Sequence, residues 1–139
     1  MSTQSQVVLA YRHLYKASLQ AIQFSSPARH TLKRLIRTEF RLNKINDYNH
    51  ERVQNTLLFL QGAAQAKGLE HRIVKTMLHF MWFQNGPAKL KPIKSRKEDQ
   101  EMRHRSLSHM QATLSMLNES MLMCLPTDLT RRLDPLEHL

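Results

Sequence analysis

The sequence predicts an all-α chain, and three observations predict it. Three glycines and 6% aromatic residues are too few for the turn-rich, aromatic-laced strands of a β-sandwich. Eight methionines accompany many Leu, Gln, Lys and Arg residues, all of which lose little freedom in a helix. Apolar residues also recur three and four positions apart along most of the chain, the period of one helical face. The expected architecture is an antiparallel three-helix bundle with two additional C-terminal helices. The bundle and its fourth helix occupy 1–85, a basic linker 86–97, a C-terminal helix 98–125 and a flexible tail 126–139.

A first helix is expected from about Gln4 to Phe24. Val7, Tyr11 and Leu14 lie along one side of it, beside Val8, Tyr15, Leu19 and Ile22. Arg12 and Lys16 sit one turn apart on a neighbouring face. Ser25-Ser26-Pro27 stops this helix and starts the next, with Ser26 as N-cap and Pro27 at the first helical position. The second helix, from Pro27 to about Lys44, buries Leu32, Leu35, Ile36 and Phe40. Arg29, Lys33, Arg37 and Arg41 form a basic ridge beside that stripe. Like charges at this spacing repel by a few tenths of a kcal/mol per pair, so the ridge calls for an acidic partner or full solvation.

Asn46-Asp47-Tyr48-Asn49 reads as loop and cap before a third helix through Val53, Leu57, Leu58, Phe59 and Leu60. A fourth, Leu69 to Phe83, is apolar around most of its late turns and ends at Asn85-Gly86-Pro87. The linker carries Lys89, Lys91, Lys94, Arg96 and Lys97. Glu98, Asp99 and Glu101 suit the positive end of the last helix, which Pro126 terminates. There is no internal repeat.

The formal charge of +10 is unevenly spread. Residues 1–45 hold eight Lys/Arg against the single acid Glu39, and 46–139 hold thirteen against ten. This asymmetry points to an acidic partner: nucleic acid, an anionic membrane surface or an acidic protein. An acid-free, Ser- and Gln-rich amphipathic start also has the composition of a mitochondrial import signal. Its core-like periodicity indicates that it is retained. The single cysteine, Cys124, excludes an internal disulfide and a CxxC knuckle. No apolar run approaches the roughly 20 residues of a membrane span.

Tyr11-Arg12 with Lys16, Phe40 within Thr38-Glu39-Phe40-Arg41-Leu42-Asn43, and Leu57-Leu58-Phe59-Leu60-Gln61-Gly62 together resemble the LYR family of mitochondrial adaptor proteins. Ala10 stands where the family's leading leucine would be. The resemblance covers roughly residues 5 to 68. It implies an LYR-type bundle in the mitochondrial matrix that binds the acidic mitochondrial acyl carrier protein and supports assembly of a client complex. The block matches favour the mitochondrial ribosome as client, with a respiratory-chain subunit as the alternative. It further implies no cofactor bound directly, the 4′-phosphopantetheine acyl chain being supplied by the carrier.

On that reading Tyr11, Arg12, Lys16, Arg37, Phe40 and Arg41 contact the carrier. Leu14, Leu35, Ile36, Leu57 and Leu60 line an acyl slot, whose physical basis is about 0.8 kcal/mol per buried CH₂. Each of these residues also has a plainer role, the aromatics as core and the arginines as a solvated face.

No chemistry of an enzyme emerges. The eight histidines form no HxxxH or HExxH, so no metal site is expected, and no glycine loop for phosphate exists. Cys124 reads as a packing residue rather than a nucleophile. The rival is nucleic-acid binding without a carrier. The Lys89–Arg105 stretch has seven Lys/Arg against three acids, and Lys89, Lys91, Lys94, Arg96 and Lys97 would contact rRNA or another polyanion. Few aromatics interleave with that charge, which argues against base stacking.

Overall fold

The computed structural model describes residues 2–26, 28–43, 45–85 and 97–133. These are all-helical, with five α-helices and no strand among the described residues: α1 (Thr3–Ala21), α2 (Ala28–Leu42), α3 (His50–Gln65), α4 (Leu69–Asn85) and α5 (Lys97–Met121). A short 3-10 turn, Ile45–Asp47, joins α2 to α3. Pro27, Gly86-Pro87 and Lys89, Lys91, Lys94 and Arg96 of the expected linker lie outside the described residues, as do residues 134–139.

Local chemistry sets the helix ends. The Ser5 amide donates to Ser2 Oγ at 3.3 Å, and the Arg52 amide donates to Asn49 Oδ1 at 3.2 Å, satisfying orphan N–H groups at the starts of α1 and α3. α1 ends where Gln23 and Phe24 turn left-handed, both at φ 55°. α5 ends at Leu122, φ 51°, where the Met123 amide reaches back to the Asn118 carbonyl at 3.1 Å.

α1 packs most extensively on α3, and also on α2, while α4 packs on both α2 and α3. The expected three-helix core is therefore closed on its fourth side by α4. Tyr11, early in α1, meets Phe40, late in α2, so these two helices run antiparallel. The His71 ring at the start of α4 meets the Ala21 carbonyl at the end of α1, at 3.0 Å. The buried Ala10, Ala17 and Ala21 recur seven and four residues apart on α1, and this small-residue stripe lets a neighbour approach closely.

The expected helix 98–125 ends earlier, at Met121, and the expected flexible tail from 126 packs on the bundle as far as Leu133. Met123, Leu125, Leu129 and Leu133 are all buried in the same core as the bundle. The non-helical segment 123–133, with a turn at Leu129-Thr130, crosses the bundle as a strap and returns several of its backbone polar groups to side chains. Leu125 exchanges two hydrogen bonds with Asn118, each 2.8 Å, and the Cys124 amide donates to Thr56 Oγ1 at 3.0 Å. The Leu133 amide donates to Asn85 Oδ1 at 2.9 Å, and Arg131 pairs with Glu39 of α2.

Candidate functional site

Inside the bundle lies a cavity of about 290 Å³, mainly apolar in lining. α1 contributes Leu14, α2 contributes Leu35, Ile36 and Phe40, and α3 contributes Leu60. Each helix turns one stripe inward. On α3 the inward stripe is Val53, Thr56 and Leu60, spaced by three and four residues. Two hydroxyls on the wall are spent within their own helices, so the wall remains apolar. Ser18 Oγ donates to the Leu14 carbonyl at 2.6 Å and Thr56 Oγ1 to the Arg52 carbonyl at 2.8 Å.

The structure brings four of the five expected slot residues, Leu14, Leu35, Ile36 and Leu60, onto this one cavity. Leu57 is a correction. It packs against the core at the edge of the inward stripe of α3, about 100° around the helix from Thr56, and does not line the cavity. Sequence reasoning did not foresee Val74 and Met77 of α4 as part of the wall, since that helix had no assigned place. Nor did it foresee Cys124, Leu125 and Pro126 of the strap, which wall the mouth. A usable signal was present in Leu125, Leu129 and Leu133, three leucines four residues apart that run from the end of the expected last helix into the stretch read as tail.

The expected carrier-contact residues lie on the α1–α2 side. The Tyr11 ring meets Phe40 edge-on with centroids 5.1 Å apart and stacks on Tyr15 at 6.4 Å. Phe40 reaches from this contact into the cavity wall, linking the outer face to the interior. Arg12 and Lys16 are exposed, Arg37 is half-buried one turn before Phe40, and Arg41 is exposed immediately after it. Among the described residues, Arg12, Lys16 and Arg37 form no ion pair. Of the expected polyanion-binding residues only Lys97 is described, exposed at the start of α5.

The mouth of the cavity is polar. Glu39, Asn43, Asp47, Tyr48 and Arg52 rim it together with the strap. Arg52 holds the strap by donating to the Met123 carbonyl at 2.8 Å and the Asn118 carbonyl at 3.3 Å. Cys124 is exposed as a residue, but its Sγ lies 3.3 Å from Thr56 Oγ1. Desolvation pushes the thiol pKa up, against the Thr56 hydrogen bond and the nearby Arg52 charge, so the group is a poor nucleophile at neutral pH. No cluster of three His, Cys, Asp or Glu side chains placed to hold a metal occurs among the described residues, and none of their helices is long and apolar enough to cross a membrane.

Comparison with known proteins gives one relative. The chain is 40% identical over 76 residues to UPF0593 mitochondrial protein C806.05 of Schizosaccharomyces pombe. The match covers 53% of this chain and 61% of the relative, so it spans less than two thirds of that protein's length. No family model matches the chain, and no solved structure is significantly similar to it.

Proposed function

We propose that this chain is a non-catalytic mitochondrial adaptor that receives the acyl chain of an acylated acyl carrier protein in its bundle interior and supports assembly of a client complex. The observation that carries the reading is the apolar cavity. Four of the five residues that the resemblance assigns to an acyl slot, Leu14, Leu35, Ile36 and Leu60, line it, and Phe40 both lines it and meets Tyr11. Its roughly 290 Å³ is about twice the ~150 Å³ dry cavity that is known to admit benzene in another protein. A mitochondrial relative at 40% identity supports the compartment, and the matrix follows from the proposed carrier.

Magnitudes divide the labour between tail and charge. About ten buried methylenes contribute roughly 8 kcal/mol before ordering costs. An exposed ion pair contributes at most about 1 kcal/mol. The acyl tail therefore supplies affinity, while Arg12, Lys16, Arg37 and Arg41 steer and orient an acidic carrier. The client proposed is an assembling mitochondrial ribosomal subunit, which the basic surplus of the chain favours over a respiratory-chain subunit.

Affinity purification from mitochondria with intact-mass detection tests the reading. A small acidic protein bearing a pantetheine-plus-acyl mass should co-elute with the wild-type chain. Arg12→Glu with Lys16→Glu should strongly reduce that co-elution and leave the helical circular dichroism unchanged. Undiminished retention of the carrier by the double variant removes these residues from the site. Co-purification of rRNA without any carrier would favour a nucleic-acid module instead.

A further inference from the structure

α1 and α4 each pack on both α2 and α3, so they stand at opposite corners of the bundle. The outward face of α4 therefore points away from the exposed side of α1 that carries Arg12 and Lys16. α4 lends Val74 and Met77 to the cavity wall, and its outer side has no part in the proposed function.

That side has a definite composition. Between His71 and Phe83 the exposed residues are Arg72, Lys75, Thr76, His79 and Trp82. Their spacing sets them within about 120° of the helix circumference and along about 15 Å of its axis. No acid interrupts the face. Glu70, the one acid of α4, turns back towards Gly62 of α3 and Gly68 of the loop before α4. Arg72 and Lys75 form no ion pair among the described residues. The rings are grouped as well. His79 and Trp82 have centroids 6.1 Å apart and planes inclined by 33°. Phe83 is already covered by the Arg103 guanidinium of α5, 5.7 Å from its centroid, which leaves His79 and Trp82 as the open pair.

Three kinds of anionic partner could meet such a face. An acidic protein segment would use the cations and leave the rings idle. A bilayer surface would need apolar side chains beside the tryptophan, and the exposed positions from Arg72 to His79 are all polar. A single strand of nucleic acid uses both, its phosphates against the cations and a base against the rings. A duplex, with its bases stacked inside, uses only the cations.

We propose that the outer face of α4 is a binding surface for single-stranded nucleic acid, with Arg72 and Lys75 on the phosphates and His79 and Trp82 under a base. The surface is separate from the cavity and stands independently of the acyl reading. It lets one chain hold a carrier on one side and an RNA-bearing client on the other.

Trp82 is the single tryptophan of the chain, so its emission reports this face alone. Titration of the full chain with an oligouridylate of about ten nucleotides should quench that emission saturably, because a stacked base lies on the ring. Polyglutamate of matched charge should leave it unquenched. Arg72→Gln with Lys75→Gln, both at exposed positions, should keep the circular dichroism unchanged. Between roughly 0.05 and 0.2 M salt the double variant should show a shallower plot of log affinity against log salt. The slope should change by about 1.4, two phosphate contacts at roughly 0.7 each. Absence of quenching by the oligouridylate, an equal response to polyglutamate, or an unaltered salt slope in the double variant overturns the proposal. So does a blue shift on phosphatidylglycerol vesicles without quenching by the strand, which assigns the face to a membrane instead. Carrier binding is read separately by co-elution, so either result can fail and leave the other standing.

Discussion

Ala10 stands where the signature that the chain resembles has a leucine, and the structure gives the small residue a packing role. Ala10 is 4% exposed and shares a stripe with Ala17 and Ala21 on the helix that packs most extensively on α3. Small residues at these three positions set how closely α1 approaches its neighbour. A leucine needs space that a close-packed interior does not contain. Ala10→Leu is therefore expected to destabilise the fold by about 1–3 kcal/mol, through off-rotamer packing and helix displacement. Urea denaturation followed by circular dichroism measures it, and an unchanged or higher midpoint would show that the stripe does not control the α1–α3 distance. The same residue illustrates what could be read in advance. The apolar period of α1 was legible, because period alone separates inward from outward positions. Which inward positions must be small was not, because that depends on which helix lies opposite. Leu57 was misassigned for the same reason: its spacing admits it to the buried side of α3, but only the position of the neighbours decides which buried residues face a cavity.

Among the elements, the five helices were legible within a few residues at each end, since caps, breakers and apolar spacing are local signals. The strap was not, because its order comes from partners far away in sequence. Leu125 is held by Asn118, Cys124 by Thr56, and Leu133 by Asn85. A non-helical segment has no internal ladder, so each of these side chains replaces a bond that a helix would have made for itself. Asn118 matters most, since its amide both donates to and accepts from the Leu125 backbone. Asn118→Ala should cost about 1–3 kcal/mol by leaving a part-buried N–H and C=O unpaired. The loss should be local as well as global. Hydrogen exchange at the Leu125 amide should accelerate more than exchange in α1 to α4, where the ladders are intact. Uniform acceleration throughout the chain would instead make the strap a part of the cooperative core with no separate opening.

For the whole molecule, the division between interior and surface determines how a partner would be recognised. On the proposed reading the cavity would provide affinity without direction, because burial of a tail is insensitive to where the rest of the partner lies. Direction has to come from the outer faces of α1 and α2, where Arg12, Lys16 and Arg37 carry charge that no acid of this chain neutralises among the described residues. The first 45 residues hold most of the net charge of +10, and they form the two helices on which Tyr11 meets Phe40. Exposed charges are screened over about 10 Å at 0.1 M salt and about 3 Å at 1 M. The association rate with an acylated acidic carrier should therefore fall by at least about tenfold across that range, while the dissociation rate, set by the buried tail, changes little. Stopped-flow mixing with a fluorescently labelled carrier separates the two rates. Arg12→Glu with Lys16→Glu should slow association and cancel or reverse its salt dependence, with little change in dissociation. A salt effect that falls on dissociation instead would mean that charge holds the complex, which fits a polyanion spread over a basic surface rather than a tail in a channel.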